Sequence, residues 1–185
     1  CEDESVIGRA FYVMEFMQGR VLWDQSLPGM QPAERTDIYN ETNRVISALH
    51  TVKFAERGLA NYGKPGNYFE RQIGRWSKQY VASITQPIEE MDKLMAWLPA
   101  NMPASARDEN RVSIVHGDYR LDNLMFHPTE PRVIAVLDWE LSTLGHPLAD
   151  FSYHCMAWHI QPGQFRGIGG LDLPALGIPS EQDYI

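Results

Sequence analysis

Three polar residues in the C-terminal half have the types and spacing that suit phosphoryl transfer. Asp118 follows a His-Gly pair, Asn123 lies five residues further on, and Asp138 comes after the apolar run 133–137. Phosphoryl transfer needs a placed nucleophile and neutralised phosphate charge more than it needs covalent participation by the protein. Asp118 could accept the proton of a substrate hydroxyl. The oxygens of Asn123 and Asp138 could bind Mg²⁺, which prefers oxygen ligands.

Three neighbouring residues each have two interpretations. His116 is either a second base or a ring that holds the loop by hydrogen bonds. Arg120 either contacts the transferred phosphate or forms an ordinary ion pair. Asp150 either caps the helix that Pro147 begins or accepts backbone donors from the loop. We keep Asp118, Arg120 and His116 as the candidate catalytic residues, with Asp150 as support.

Short strands and turns are predicted to bring these residues together. Residues 112–115, 124–126 and 133–137 have the apolar pattern of strands, and the last two are joined by the turn residues His127 to Pro131. Taken singly, Asp118 and Asn123 could make local turns and Asp138 could merely end a strand. Their order on matching strands and loops favours function. The sequence therefore predicts a catalytic loop at 115–126 and a metal-binding segment at 133–150.

The rest of the chain is predicted to be mainly helical. Apolar residues at helical spacing predict helices at 33–53, 68–84, 87–98 and 147–158. Residues 9–17 are apolar and aromatic, which predicts a buried strand. Glycine and proline mark loops at 58–66 and 161–179, and residues 99–110 are predicted to form a polar linker.

Composition restricts the class of partner. The 185 residues include 24 acidic and 16 basic side chains, for a formal net charge of −8, which argues against nucleic acid or an anionic membrane as a partner. The 44% hydrophobic content predicts one folded domain. Cys1 and Cys155 form neither a metal-ligand pattern nor a disulfide framework, so we expect a reducing, cytoplasmic compartment. No apolar run is long enough to predict a membrane span.

The chain resembles the aminoglycoside phosphotransferase and choline kinase-like family, which has a protein-kinase-like fold. The residues that carry the resemblance are His116-Gly117-Asp118, Asn123, Asp138-Trp139-Glu140 and Gly145-Xaa-Pro147-Xaa-Xaa-Asp150. Val115 to Asp150, with Phe11 to Glu15, is most similar to the phosphotransferase domains associated with acyl-CoA dehydrogenases. The resemblance implies an α+β chain: residues 1–19 would be the last N-lobe strand and the hinge. Residues 20–185 would be a mainly helical C-lobe with short β-hairpins around the catalytic loop.

The resemblance also implies roles. Asp118 would be the catalytic aspartate, and Asn123 and Asp138 the Mg²⁺ ligands. ATP would be the donor, with the hinge residues Glu15, Phe16 and Met17 against its adenine. A small molecule would supply the acceptor hydroxyl: a hydroxyacyl thioester (such as a hydroxyacyl-CoA) or related hydroxy acid, or alternatively an aminoglycoside or a choline-like alcohol.

The sequence departs from the family pattern near its start. No Gly-rich phosphate loop precedes the hinge, and Lys53 and Lys64 lie after it, where they cannot match the family's strand lysine. We therefore expect weak nucleotide binding and slow turnover from the chain as written. We also expect a missing N-lobe, a truncated C-terminus, and an exposed apolar face that could support a homodimer. Two other classes stay open: an inactive kinase-like binding module, and a metal-dependent phosphohydrolase, which needs more metal ligands.

Overall fold

A computed structural model describes residues 1–64, 66–108 and 110–185. Pro65, in the predicted loop 58–66, and Glu109, in the predicted linker 99–110, lie outside the described residues. The helices are α1 (Pro32–His50), α2 (Tyr68–Ser83), α3 (Glu89–Ala100), α4 (Pro147–Cys155), α5 (Leu173–Leu176) and α6 (Glu181–Tyr184). The strands are β1 (Arg20–Val21), β2 (Ser113–Val115), β3 (Leu124–Phe126), β4 (Val133–Val136) and β5 (Thr143–Gly145).

Helix α1 is the centre of the hydrophobic core. Pro32 occupies its first turn, and the backbone N–H of Gln31 donates to the Glu34 carboxylate at 2.7 Å, so the helix start is satisfied by its own sequence. Ile38 and Tyr39 are each 1% exposed. The core around α1 collects apolar residues from the catalytic loop, β3 and the C-terminal segment: Leu121, Leu124, Phe126, Trp158, Ile168, Ile178 and Tyr184. Helix α1 therefore packs against the catalytic loop through this core.

Two small antiparallel sheets flank the catalytic loop. The first has the order β1-β3-β4, with Arg20 opposite Phe126 and Leu124 opposite Val136. The second pairs β2 with β5. The predicted strands at 112–115, 124–126 and 133–137 are confirmed to within a residue, and β3 and β4 form the predicted hairpin. Strands β1 and β5 were not predicted: β1 has only two residues, and β5 (Thr-Leu-Gly) has a single large apolar residue, so neither shows the apolar run that identified the others.

The predicted buried strand at 9–17 is wrong. No residue of this stretch is assigned to a strand, and Tyr12, Val13 and Phe16 are 81%, 87% and 86% exposed. A strand requires a hydrogen-bonded neighbour, and within the described residues the first pairing occurs later, where β1 meets β3. Apolar composition alone therefore overstated both the strand and its burial.

The helical predictions differ from the structure at their ends. Helix α3 begins at Glu89 and not at Pro87, because Ile88 has extended backbone angles and precedes the helix. Helix α4 ends at Cys155, and the remainder of the predicted helix is the tighter 3-10 turn Met156–His159. The predicted loop 161–179 includes the short helix α5. Among the described residues, no helix combines the length and the apolarity that crossing a membrane would require.

Candidate active site

The Asp150 carboxylate holds the start of the catalytic loop. Its two oxygens accept the backbone N–H groups of His116 at 2.5 Å and of Gly117 at 2.7 Å, and His50 Nε2 lies 3.2 Å from one of them. Asp150 is 2% exposed, and it lies in the first turn of α4. Of its two interpretations, the structure therefore supports acceptance of backbone donors from the loop.

The geometry of His116 supports its structural interpretation and not that of a second base. The ring is fully buried. Its Nδ1 accepts the backbone N–H of Asp118 at 3.3 Å, so the proton lies on Nε2, which donates to the carbonyl of Leu137 at 2.7 Å. With both ring nitrogens engaged, the imidazole has no lone pair for a substrate. It connects the catalytic loop to the end of β4.

The Asp118 carboxylate is partly exposed and is oriented by two side chains. Arg120 Nη2 donates to Oδ2 at 2.9 Å, and Asn123 Nδ2 donates to the same oxygen at 3.0 Å and to the Asp118 carbonyl at 2.8 Å. The Asp118 side chain retains 19% exposure, so a substrate can approach it. Arg120 is thus paired with the carboxylate, in agreement with its interpretation as a member of an ordinary ion pair.

Asn123 and Asp138 are brought together by the β3–β4 hairpin. Leu124 pairs with Val136, and one residue beyond that pair the N–H of Leu137 donates to the carbonyl of Asn123 at 2.8 Å. Asp138 follows immediately, with a left-handed backbone (φ 62°) and an exposed position. Aspartate is among the residues that tolerate this conformation. The two predicted metal ligands therefore lie on adjacent chain segments.

The donor set fits a hard divalent cation. Both groups bonded to the Asn123 amide nitrogen are acceptors, so the amide oxygen faces away from Asp118, and within the described residues it accepts no hydrogen bond. Among these residues no cluster of three or more His, Cys, Asp or Glu side chains forms a metal site. Mg²⁺ takes only one or two protein carboxylates in kinase sites and completes its shell with water and substrate phosphates. Two oxygen ligands such as Asn123 and Asp138 are compatible with that requirement, and their binding of Mg²⁺ stays a prediction.

A cavity of about 160 Å³ opens beside the catalytic loop, between α2 and α4. Its lining includes Gly117 and Tyr153, and the aromatic residues Tyr68, Phe69 and Trp76 cover the α2 side. Burial, together with the neighbouring Asp118 carboxylate, raises the pKa of Tyr153 to about 12. The Tyr153 hydroxyl is therefore a neutral donor beside Asp118. Sequence analysis missed it, because a tyrosine in an amphipathic helix carries no functional signal.

A charged cluster extends from the other side of Asp118. The side chain of Asp122 is 4% exposed and is paired with Arg166 and, at 3.6 Å, with Arg120. Arg166 also stacks on Trp23, with the guanidinium carbon 5.1 Å from the ring centroid. In the sequence, Asp122 directly precedes the predicted metal ligand Asn123. Arg166 lies in a Gly/Pro-rich stretch with no pattern that could have identified it.

The predicted adenine-binding residues precede the first strand, β1. Glu15 and Phe16 are exposed, Met17 is partly buried, and none of the three belongs to a strand. Their role at a nucleotide site remains a prediction, as does the boundary between residues 1–19 and 20–185.

Comparisons with known proteins agree with the geometry. The model of the "Phosphotransferase enzyme family" matches residues 1–175. Mouse acyl-CoA dehydrogenase family member 10 is 46% identical over the whole chain, and human acyl-CoA dehydrogenase family member 11 is 45% identical. The chain spans only 17% and 23% of these two proteins.

Solved structures show the same fold. A crystal structure from Ralstonia eutropha JMP134, provisionally named an aminoglycoside phosphotransferase, superposes with a TM-score of 0.92 at 72% identity. It covers all of this chain, which spans 55% of that protein. An aminoglycoside-3'-phosphotransferase of type VIII superposes with a TM-score of 0.58 over 89% of this chain and 63% of its own length, at 16% identity, and supports the fold alone.

These matches confirm the protein-kinase-like fold predicted from the sequence. The chain therefore belongs to the phosphotransferase enzyme family.

Proposed function

We propose that the protein is an ATP-dependent phosphotransferase that moves the γ-phosphoryl group to a hydroxyl of a small molecule. The observation that carries the proposal is the contact between Asp118 and Asn123, with Asp138 on the adjoining segment. The contact supports the proposal that Asp118 is a proton acceptor and that Asn123 and Asp138 are oxygen ligands for Mg²⁺. Glu15, Phe16 and Met17 remain the proposed contacts for adenine.

The proposed reaction uses Asp118 as the proton acceptor. The acceptor oxygen forms a bond to the γ-phosphorus as the bond to ADP breaks, and the hydroxyl proton passes to the Asp118 carboxylate. Arg120 and Asn123 hold that carboxylate in one orientation. When bound between Asn123 and Asp138, Mg²⁺ would neutralise phosphate charge.

The cavity between α2 and α4 supports an acceptor with apolar parts. Aromatic rings cover much of its lining, and Gln72 and Arg75 add polar and positive groups. Among the described lining residues the only carboxylate is Asp150, which the loop backbone already occupies. This lining is poorly suited to a polycationic aminoglycoside. It fits a hydroxyacyl thioester or related hydroxy acid better. The similarity to acyl-CoA dehydrogenase family members 10 and 11 also favours such an acceptor.

The test is magnesium-dependent ATP consumption with a panel of hydroxyacyl thioesters, hydroxy acids, aminoglycosides and choline-like alcohols. Asp118→Asn should reduce turnover by about 10²–10⁴-fold, the usual contribution of a positioned base. Asp138→Asn should raise the Mg²⁺ concentration needed for half-maximal rate. Asp172→Asn is the matched control, because Asp172 is exposed and caps the remote helix α5.

Two outcomes would replace the proposal. ATP bound without consumption, with every acceptor, would indicate a binding module that has lost catalysis. Phosphate released from monoesters in the absence of nucleotide would indicate a hydrolase. An Asp118→Asn variant as fast as the parent would show that Asp118 is not the base.

A further inference from the structure

We propose that Arg166 is a positioning residue for the Asp118 carboxylate and that it acts through Asp122 and Arg120. The inference rests on the proposed function, because it assigns Asp118 the part of the base. It concerns a residue 48 positions from Asp118, in a segment that the sequence predicts only as a loop.

Two shared atoms connect the four side chains. Arg120 Nη2 lies 2.9 Å from Asp118 Oδ2 and 3.6 Å from Asp122 Oδ2, so one nitrogen serves two carboxylates. Asp122 Oδ2 also accepts from Arg166 Nη1, so one oxygen serves two guanidinium groups. The charges alternate in sign along the chain from Asp118 to Arg166. A change at Arg166 therefore alters how strongly Asp122 attracts Arg120.

Asp122 requires a cation because it is buried. Its side chain is 4% exposed, and its Oδ1 has no hydrogen-bond partner within the described residues. A buried carboxylate without a counter-charge is strongly unfavourable. Without Arg166, the nearest cation is Arg120, at 3.6 Å. Arg120 would then move towards Asp122 and away from Asp118, and the base would lose one of its two orienting partners.

The backbone around Arg166 is held in an unfavourable conformation that supports this arrangement. Phe165 and Arg166 both have positive φ angles, 23° and 58°. The Phe165 ring lies against Arg120, with the guanidinium carbon 5.6 Å from its centroid, and Trp23 lies against Arg166. Non-glycine residues keep such angles only where their surroundings demand it, commonly at functional sites. Here the two consecutive residues direct Phe165 onto Arg120 and Arg166 onto Asp122.

A cavity that borders Arg166 leaves part of the space around its side chain unfilled. A space of about 480 Å³ adjoins Trp23 and Arg166. Among the described residues, its lining includes neither Asp122 nor Arg120. The position of the guanidinium over the catalytic loop therefore depends on Asp122 and on the indole face of Trp23.

Arg166→Met should lower kcat by about 10–100-fold, because a displacement of about 1 Å at a catalytic group can cost that much. The KM for ATP should change less than threefold, because Arg166 contacts none of the residues assigned to the nucleotide. Arg166→Lys keeps the charge and should recover most of the rate. Arg132→Met is the control, because Arg132 forms an exposed pair with Glu130 at 3.0 Å.

A double variant separates positioning from a general structural effect. In the Asp122→Asn background no buried carboxylate attracts Arg120, so adding Arg166→Met should lower kcat by less than about threefold, a strongly non-additive result. This double variant also contains no unpaired buried charge, so it should fold even if Arg166→Met alone is unstable. Equal losses of kcat in both backgrounds would overturn the proposal.

A second measurement does not require activity. The nuclear magnetic resonance signal of the Arg120 Nε–Hε group can be assigned by its loss in Arg120→Lys. This signal should shift in Arg166→Met. It should stay in place when Arg166→Met is added to Asp122→Asn. An unchanged Arg120 signal in Arg166→Met would refute the inference. A parent that transfers no phosphate, with the Arg120 signal shifting as expected, would refute the proposed function and leave the positioning arrangement supported.

Discussion

The Asp150 carboxylate should be the most sensitive single point in the architecture of the site. Asp150→Asn keeps the size of the side chain and removes the charge. One amide oxygen can still accept one of the two backbone N–H groups, from His116 or Gly117. The amide NH₂ then faces the other N–H group, and two donors oppose each other in a buried position.

The expected cost follows from the bonds lost. A hydrogen bond to a charged group contributes about 1.5–3 kcal/mol, and a buried donor left without a partner costs about 1–3 kcal/mol. Because a neutral amide is easier to bury than a carboxylate, part of this is offset. We expect a loss of about 2–4 kcal/mol in the free energy of unfolding. For a chain of this size, that corresponds to a decrease of roughly 10 °C in Tm.

Urea denaturation followed by circular dichroism measures this loss directly. Asp172→Asn is the control, since it makes the same chemical change at an exposed helix cap, where Asn and Asp are nearly equivalent. The control should change the free energy of unfolding by less than about 0.5 kcal/mol. If both variants unfold at the same urea concentration with the same slope, the Asp150 carboxylate does not hold the catalytic loop.

Three other predictions test the surrounding structure. Gly117→Ala should lower the free energy of unfolding, measured in urea, more than Gly58→Ala does. Both glycines have positive φ, but a Cβ at position 117 would lie 2.6 Å from the Leu141 carbonyl oxygen, whereas position 58 is open. Equal losses of stability would contradict this contact. Burial lowers the pKa of His154 to about 4, while in the unfolded chain it is about 6.5. The unfolded state therefore binds more protons between these values, and stability should fall by about 3 kcal/mol as pH falls from 6.5 to 4. His154→Gln should remove that part of the pH dependence of stability, which urea titrations at pH 7, 5.5 and 4.5 would measure. If the variant keeps the pH dependence of the parent, His154 is not the source of it. Tyr39→Phe removes the bond from the buried hydroxyl to the Gln25 carbonyl at 2.7 Å and should cost about 1–2 kcal/mol without changing the urea slope; an unchanged midpoint would refute it.

Local chemistry explains why much of the site could be predicted. Two apolar strands lie between Asn123 and Asp138, and with the Pro-containing turn that joins them they specify a hairpin from neighbouring residues alone. That hairpin places Asp138 on the segment beside Asn123. Helix α1 was predictable for the same reason, since Pro32 and the capping glutamate Glu34 lie within its first turn.

The missed features depend on contacts between distant parts of the chain. Apolar residues at 9–17 have strand character, yet a strand forms only where a partner offers hydrogen bonds, and the structure forms that pairing at Arg20–Val21. Likewise, His50 lies 100 residues from Asp150 and Arg166 lies 44 residues from Asp122. Such pairs leave no periodic pattern in the sequence.

The sequence by itself determined the candidate reactive groups: a carboxylate that we propose accepts a proton, and an amide and a second carboxylate that we propose bind a cation. It could do so because these groups lie on short segments whose conformation is local. The tertiary structure alone decided how the groups are oriented. It buried Asp150 beneath the loop, engaged both nitrogens of His116, and placed Arg166 against Asp122. Burial makes an unpaired charge or donor costly, so only the folded chain selects which partners these residues keep.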